Sequence, residues 1–360
     1  MIVVVKIGTS SITDERGEIE DVALLKLASE LAEVHRAGHR VVLVSSGAIA
    51  AGLPALGMHD RPSDLGTLQA IAAVGQPRLM ERYAAILSQH GVVAAQVLLT
   101  PHDFIHRSQY LHGRETLARL LDLRVLPIVN ENDTVADDEI RYGDNDRLAA
   151  LVAHLVGADL LVLLTDTPGL YTADPRHDRE ASLIEEILEV DEALEAVAGG
   201  AGTTRGSGGM ASKLAAAKIA AWSGVRAVIG GASQPGVVLD AVEGRAAGTV
   251  VQPRDRRLPS RKLWIAFAQG SAGRILVDEG ARAALTAQGR SLLPAGVKGV
   301  EGDFHRDDPV EVVASGKAFA KGLSRYSASE LRSVAGRRTA DLPDGSPHEV
   351  IHRDDLVVLP

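Results

Sequence analysis

The chain has no cysteine and no long apolar run, and each absence excludes a class of protein. Without cysteine it can form neither a disulfide nor a thiolate metal site, and this composition fits a reducing cytoplasm. No apolar stretch approaches the roughly 20 residues that a membrane helix needs, and no basic segment precedes the apolar start of the chain. We therefore expect a cytoplasmic protein with no signal peptide and no membrane association.

Positive charge is also scarce. The formal net charge of −9 argues against a general nucleic-acid-binding protein. Residues 267–360 are nearly neutral, with 12 basic and 13 acidic side chains, and they lack basic clusters interleaved with aromatic residues. RNA binding by this part of the chain is therefore disfavoured. An acidic protein can still bind a polyphosphate if a few lysines and helix N-termini concentrate positive potential locally.

Short apolar runs alternate with amphipathic helical patterns in the first part of the chain. "IVVVKI", "RVVLVSS", "RVLPIVN" and "DLLVLLT" have the composition of buried strands. This alternation predicts an α/β domain with a mainly parallel sheet over residues 1–255. The charged, proline-containing stretch that follows predicts a linker over residues 256–269. Residues 270–360, with short strands separated by Gly and Pro turns, predict a small, mostly β, barrel-like domain.

Polar motifs follow the ends of the predicted strands. These motifs are Lys6–Gly8–Thr9, Ser45–Ser46–Gly47, Asn130–Asp133 and Thr165–Asp166. Open α/β sheets bind ligands outside the carboxyl ends of their strands, so this coincidence predicts a ligand site there. Taken singly, each motif also has an ordinary explanation, such as a turn residue, a solvated lysine or a serine N-cap.

Two lysines far apart in the sequence each lie beside a turn of small residues. Lys6 stands in "VVVKIGTS", and Lys213 stands one turn into the helix that "GSGGMASK" opens. Such turns let backbone N–H groups approach an anion, so both motifs predict a grip on phosphates. "GSGGMA" also satisfies the dinucleotide pattern G-x-G-x-x-[GA], but it comes late and no strand runs directly into it. No P-loop motif occurs in the chain.

The segment "NENDTVADDEIRYGDNDRLAA" crowds amides and carboxylates into one loop. In one interpretation Asp133 and Asn145 bind a substrate α-ammonium, Asp146 orients the two lysines, and Ser46 donates to a substrate carboxylate. In the other, the loop is solvated and Asp144 caps the following helix. Neither the histidines nor this loop has the spacing of a zinc or calcium motif, so no protein metal site is predicted.

Several long motifs in order resemble the glutamate 5-kinases, which have the amino acid kinase fold. The motifs are "VVVKIGTS", "VSSGAIAAG", "AAVGQPRL", "PIVNENDTVA", "GDNDRLAA", "LLTDTPGLYTADPR" and "GSGGMASK". They cover essentially residues 1–255, while "SLLPAGVKGVEGDF" and "KGLSRYSASELRSVAG" are similar to the PUA domain that many members carry. One small departure is Ser207, which stands where a threonine is common and keeps its hydroxyl.

The resemblance implies a three-layer α/β fold and a specific reaction. It implies transfer of phosphate from ATP, with Mg²⁺, to the side-chain carboxylate of L-glutamate, as the first step of proline biosynthesis. It further implies feedback inhibition by proline and assembly into dimers or tetramers. Carried over by motif, the catalytic residues are Lys6, Asp146 and Lys213. The implied ATP-binding residues are Lys6, Thr165, Asp166, Ser207, Gly208, Gly209, Met210, Ala211, Ser212 and Lys213. The implied glutamate-binding residues are Ser46, Asp133 and Asn145.

Other functions remain open at this stage. Kinases of the same fold phosphorylate aspartate, acetylglutamate, carbamate or a nucleoside monophosphate. The groups that "VNEND" and "GDND" supply for a free ammonium argue against acetylated and nucleotide acceptors. An RNA-binding role of the C-terminal part is the alternative from a different class, against which its near-neutral charge already argues.

Overall fold

The computed structural model divides the chain into two compact units, Met1–Arg257 and Leu258–Pro360. It describes residues 1–14, 16–104, 106–135, 145–175, 177–199, 209–255, 257–267, 270–343 and 345–359. Of the predicted site residues, Ser207 and Gly208 lie outside the described residues, as does the predicted cap Asp144. None of the described helices has the length and apolar character needed to cross a membrane.

Within the described residues, eight strands of the first unit form one sheet. They are β1 (Ile2–Ile7), β2 (Arg40–Val44), β3 (Ala94–Leu99), β4 (Leu126–Glu131), β5 (Leu160–Thr165), β6 (Glu186–Ile187), β7 (Arg226–Gly231) and β8 (Thr249–Val251). Their order is β3-β4-β2-β1-β5-β7-β8-β6, and every pair is parallel except β7 with β8. The prediction of a mainly parallel sheet is confirmed.

Helices cover both faces of this sheet. They are α1 (Asp21–Arg36), α2 (Ala48–Gly52), α3 (Leu65–Gln89), α4 (Arg107–Asp122), α5 (Asn145–Val156), α6 (Glu192–Gly199), α7 (Met210–Trp222) and α8 (Val237–Glu243). On one face, apolar side chains of α1, α3 and α8 share a core with Val3 and Val5 of β1. On the other face, α5 contacts β1, α4 and α7. Burial on both faces explains why the central strands are nearly continuous apolar runs, and it completes the predicted three layers.

The second unit is mostly β in its described residues. Its strands are β9 (Gly273–Val277), β10 (Val297–Gly302), β11 (Pro309–Ala314), β12 (Lys317–Leu323) and β13 (Leu356–Val358). They form a sheet of order β10-β9-β11-β12-β13, in which β9 and β11 pair in parallel and the other pairs are antiparallel. Helices α10 (Glu279–Gln288) and α11 (Ala328–Val334) complete the unit.

The stretch predicted as a linker, residues 256–269, is not a plain linker in the structure. It contains helix α9 (Ser260–Phe267), which belongs to the second unit and contacts β12 and β13. Leu263 and Ile265 are each only 1% exposed. The charged residues around the start of this stretch predicted a linker. The helix forms because Leu263 and Ile265 are buried against the second unit.

Candidate active site

The polar motifs that follow the central strands are gathered at one edge of the sheet. β4, β2, β1 and β5 are successive neighbours, and Lys6 lies beside Val44 of β2 and Leu163 of β5. Since these strands are parallel, the residues that follow them share the carboxyl edge, where α/β proteins bind ligands. Strand order, which a single sequence does not reveal, therefore brings together motifs that are far apart along the chain.

The two lysines converge on one carboxylate. Lys6 Nζ lies 2.5 Å from Asp146 Oδ1, and Lys213 Nζ lies 3.2 Å from Asp146 Oδ2. Asp146 is fully buried, and the lysine side chains are 4% and 6% exposed. We call Lys6, Asp146 and Lys213 the ionic cluster. Two ammonium groups thus converge on a single carboxylate, and a pair of cations at the carboxyl edge of the sheet suits an anionic ligand.

Opposing effects act on Asp146. Burial by itself would raise the pKa of its carboxyl, but the charges of Lys6 and Lys213, with hydrogen bonds from Lys6 and Ser212, lower the pKa below its usual value. Ser212 Oγ donates to Asp146 Oδ2 over 2.7 Å. Asp146 is therefore ionised at neutral pH and holds both ammonium groups in place.

The N-terminus of α7 supplies one side of this cluster. Gly209 precedes the helix in an extended conformation, and Met210, Ala211, Ser212 and Lys213 form its first turn. The Ser212 hydroxyl, which donates to Asp146, also lies 2.9 Å from the Gly209 carbonyl oxygen. It therefore links the start of α7 to Asp146 on α5. At the other lysine, a Cβ added to Gly8 would come within 3.5 Å of Lys6 Nζ. The backbone at Gly8 thus passes close to that ammonium group.

Thr165 and Asp166 lie at the end of β5. The Thr165 hydroxyl donates to Asp166 Oδ1 over 3.0 Å, and its carbonyl oxygen accepts from the backbone N–H of Ala232. Thr165 is two residues beyond Leu163, the register partner of Lys6, so both residues stand at the same edge of the sheet as the ionic cluster. Their predicted role in ATP binding remains a prediction.

A second group of polar side chains adjoins the ionic cluster and is formed by amides. Asn145 is the residue before Asp146, and its Nδ2 lies 2.7 Å from Ser46 Oγ, 3.0 Å from the Ser45 carbonyl oxygen and 3.0 Å from Asn130 Oδ1. Asn130 Nδ2 in turn donates to Gln76 Oε1 over 2.8 Å. We call Gln76, Asn130 and Asn145 the amide network. Each of the three is less than 9% exposed.

The predicted substrate residues Ser46 and Asn145 are thus in direct contact, and Asn145 adjoins the ionic cluster through the peptide bond to Asp146. Sequence reasoning missed Gln76, and it placed Asn130 in a strand-end motif without giving that residue a role of its own. Asn130 stands at the end of a strand within a motif that had been singled out, so its position was a usable signal. Gln76 lies inside α3, in the motif "AAVGQPRL", and its own position in the sequence carried no signal of a polar contact.

Helix α2 is held against α3 by close backbone contact. A Cβ on Gly75 would lie 1.8 Å from the Ala48 carbonyl oxygen, and one on Gly52 would lie 2.2 Å from the Ile71 carbonyl oxygen. Gly47, at φ +104°, makes the turn from Ser46 into α2. Gly75 therefore anchors the segment that carries Ser46, and it is the immediate neighbour of Gln76.

Asp133 lies in a short 3₁₀ turn, Asp133–Val135, which contacts α3. Burial raises the pKa of its carboxyl to about 6, against the opposing charge of Arg61. Because this carboxyl is costly to ionise in the free protein, an ammonium ligand would strongly stabilise its ionised form. The acid range in which Asp133 titrates is also accessible to experiment.

The residues present suit a nucleoside triphosphate better than a metal held by the protein alone. Within the described residues, no group of three or more His, Asp or Glu side chains converges in the manner of a metal site. The two converging ammonium groups of the ionic cluster fit phosphate groups. Any Mg²⁺ would then be ligated mainly by phosphate oxygens and water.

A parallel α/β sheet that gathers two buried lysines around one aspartate, beside a neutral amide-lined site, defines a phosphotransferase. Residues 1–231 match the amino acid kinase family and residues 273–345 match the PUA domain. The chain is 48% identical to the glutamate 5-kinase of Herpetosiphon aurantiacus, over 100% of this chain and 98% of that protein. It is 45% identical to the one from Moorella thermoacetica, over 99% and 96%.

A further relative is the glutamate 5-kinase of Myxococcus xanthus, 47% identical over 99% of this chain and 96% of that protein. Among solved structures, UMP kinase from Ureaplasma parvum matches with a TM-score of 0.48 and 15% identity, over 70% of this chain and 98% of that chain. The chain belongs to the amino acid kinase family, within its glutamate 5-kinase group, and carries a PUA domain. The resemblance inferred from its motifs is confirmed, as is its class as a kinase.

Proposed function

We propose that this enzyme transfers the γ-phosphoryl group of ATP to the side-chain carboxylate of L-glutamate and forms L-glutamyl 5-phosphate. The observation that carries the proposal is the meeting of Lys6 and Lys213 at Asp146, next to the Asn145 carboxamide. The first group suits a triphosphate, and the second suits a small polar acceptor. The named relatives, similar over nearly their whole length, support glutamate as that acceptor.

In this proposal Lys6, Thr165, Asp166 and residues 207–213 bind ATP. Ser46, Asp133 and Asn145 bind glutamate: Ser46 donates to its α-carboxylate, and Asp133 and Asn145 accept from its α-ammonium. Asp146 touches neither ligand and holds the two lysines at a fixed separation. We assign ATP to the first set because its lysines are positively charged, and the ammonium group of glutamate to the second because Asp133 and Asn145 offer acceptor oxygens.

A carboxylate needs no general base to attack phosphorus, because it is already ionised at neutral pH. Its oxygen forms a bond to the γ-phosphorus while the bond to the β,γ-bridging oxygen breaks, and the electron pair leaves with ADP. The obstacle is the approach of two anions, which Lys6 and Lys213 relieve by neutralising charge on the transferred group and the leaving oxygen. Mg²⁺, when bound to the phosphates, would add further neutralisation. Positioning and electrostatics would therefore account for catalysis.

The wider role proposed for the enzyme is the first step of proline biosynthesis, in the cytoplasm, with proline as a feedback inhibitor that competes at the glutamate site. A homo-oligomer, either a dimer or a tetramer, is also part of the proposal. The PUA domain is proposed to be regulatory or structural, since its near-neutral charge disfavours RNA binding. A salt-dependent RNA titration of the full chain would test that last point.

Product trapping tests the central proposal. Acyl phosphates react with hydroxylamine to give a hydroxamate, so the full-length enzyme is incubated with ATP, Mg²⁺, hydroxylamine and one acceptor at a time. The acceptors are glutamate, aspartate, N-acetylglutamate, carbamate and a nucleoside monophosphate, with ADP release as the readout for the last two. We expect a hydroxamate with glutamate and its suppression by proline. A clear preference for any other acceptor would refute the proposed substrate.

A further inference from the structure

Hydrogen bonds to the backbone determine which end of the Asn130 and Asn145 carboxamides faces which neighbour, and Asn130 in turn orients Gln76. The backbone N–H of Glu131 donates to Asn130 Oδ1 over 2.9 Å, and a backbone N–H can only donate. The atom at that position is therefore the oxygen of Asn130, and its Nδ2 must point to Gln76. The Gln76 oxygen accepts there, at 2.8 Å. The orientation of Asn130 thus depends on one backbone group and on Gln76.

The same reasoning orients Asn145. Its Nδ2 lies 3.0 Å from both the Ser45 carbonyl oxygen and Asn130 Oδ1, and neither of these oxygens can donate. A half-turn of the carboxamide would set its oxygen against two other oxygens and lose these hydrogen bonds. Asn145 is thereby fixed with its nitrogen towards the protein, and Oδ1 is the atom left for another partner.

That oxygen is buried and accepts no hydrogen bond from any described residue. A buried acceptor without a donor costs about 1–3 kcal/mol, so a native protein has a reason to keep one. A carbonyl oxygen attracts an N–H donor and repels a carboxylate. Of the charged groups on a free amino acid, only the α-ammonium suits this position.

We propose that Gln76 is a positioning residue for substrate recognition: through Asn130 it holds the Asn145 carboxamide with its oxygen available to the acceptor, and this orientation selects a free α-ammonium. The inference rests on the proposed function for the identity of the acceptor. Gln76 suits this role because it adjoins Gly75, where α3 and α2 meet in backbone contact. Its side chain therefore extends from a closely packed part of the helix pair that supports the site.

Three variants separate this role from a general contribution to folding. Gln76→Met keeps the length of the side chain and removes the acceptor. Gln76→Glu keeps an acceptor oxygen in either protonation state. Gln96→Ala is the matched control, because its exposed carboxamide contacts Gln76 Nε2 only at 3.5 Å, the limit of a hydrogen bond.

The KM values for glutamate and ATP, kcat and the melting temperature are measured for each full-length variant. Glutarate, which is glutamate without its amino group, is measured as a competitive inhibitor. For Gln76→Met we expect the KM for glutamate to rise about tenfold, the scale of one buried hydrogen bond, with the KM for ATP and the inhibition constant of glutarate unchanged. Gln76→Glu and Gln96→Ala should stay close to the parent enzyme.

Different results would overturn different parts of the inference. An unchanged KM for glutamate in Gln76→Met, with only a lower melting temperature, would make Gln76 purely structural. Equal damage in Gln76→Glu would exclude its acceptor oxygen as the cause, and an equal loss of glutarate affinity would exclude selection of the ammonium. If Gln76→Met does not fold, Gln76→Asn withdraws the oxygen while keeping a polar side chain. A parent enzyme that yields no hydroxamate from glutamate would instead refute the proposed function.

Discussion

The ionic cluster and the amide network are neighbours, but the first is made of charged side chains and the second of neutral amides. The ionic cluster consists of three charged side chains, two lysines and Asp146 between them, whereas the amide network contains no charge. The charged side chains lie where the phosphoryl group is proposed to move. The amides lie where, in the same proposal, a hydrogen-bond donor on the substrate must be distinguished from an acceptor. In the proposed function the two regions therefore have different tasks: the ionic cluster lowers the barrier to phosphoryl transfer, and the amide network selects the substrate.

The two regions also carry different folding costs. Removing one partner from a buried ion pair commonly costs 3–5 kcal/mol, because it leaves an uncompensated charge. Losing one neutral hydrogen bond costs nearer 1 kcal/mol. Substitutions in the ionic cluster should therefore destabilise the fold more than those in the amide network. They should also affect turnover strongly, because they remove charge from the proposed phosphoryl site, while substitutions in the amide network should change glutamate affinity by smaller factors.

The largest effect is expected from Lys213→Ala. Loss of one electrostatic donor should lower kcat about 10²-fold or more, since the ammonium would no longer neutralise charge in the transition state. Steady-state kinetics of the folded variant checks this value. Lys218→Ala, on the same helix but paired with Glu195 at the surface, is the matched control. Near-normal turnover in Lys213→Ala would remove this lysine from the mechanism.

Asp133→Asn should mainly raise the KM for glutamate, by about tenfold or more at pH 8, because the ammonium loses a charged partner. The KM for ATP should stay within about twofold, which steady-state titration of each substrate checks. An effect confined to ATP would show that Asp133 was assigned to the wrong ligand.

The same variant should be more stable than the parent enzyme at pH 8. The raised pKa of Asp133, about 6 against an ordinary 3.8, means that the folded state binds its proton more tightly than the unfolded state. The stability that protonation contributes is present at low pH and is lost as the pH rises through 6. Thermal unfolding should show a gain in melting temperature at pH 8 that shrinks towards pH 4, and no gain at pH 8 would contradict the burial of this carboxyl.

A pH titration of the parent enzyme should give a smaller change. Glutamate binding requires ionised Asp133, so the KM for glutamate should rise by up to tenfold per pH unit as the pH falls below about 6. Asp133→Asn should lose that dependence, and the KM for ATP should not share it. A parent profile that stays flat between pH 5 and pH 7 would count against Asp133 as the ammonium ligand.

The smallest effect is expected from Ser46→Ala. Its hydroxyl accepts from Asn145 Nδ2 at 2.7 Å and is one neutral partner of the proposed ligand. Removing it should raise the KM for glutamate about fivefold and leave kcat nearly unchanged. A loss as large as that of Lys213→Ala would abolish the distinction between the two regions.

Much of this architecture could be predicted because period and composition are local signals. The apolar run Ile2–Ile7 was expected as a buried strand, and the structure shows a strand with these bounds. Convergence of Lys6 and Lys213 was also expected, since both stand at glycine turns and strand ends attract ligands in this class of fold. The family resemblance supplied the remaining assignments.

Other features were beyond local reasoning. The first part of helix α3, from Leu65 onward, shows no clear helical pattern in the sequence, because Gly66, Gly75 and Pro77 interrupt it. Gln76 contacts Asn130 only because α3 and β4 meet in space, and nothing within the sequence of α3 indicates this partner. Helix α9 was hidden for a similar reason, since the apolar residues that bury it follow a charged stretch.

Asn145 and Asp146 are consecutive residues at the start of α5, and one peptide bond joins the amide network to the ionic cluster. In the proposed arrangement the first holds the amino end of the acceptor, and the second sets where the phosphoryl group waits. Because one peptide bond joins the two residues, their backbone positions are fixed relative to each other, and in this arrangement the site would select acceptors by chain length. An acceptor one methylene shorter, such as aspartate, would leave its carboxylate out of reach of phosphorus, and misplacement on the order of 1 Å costs about 10²-fold in rate.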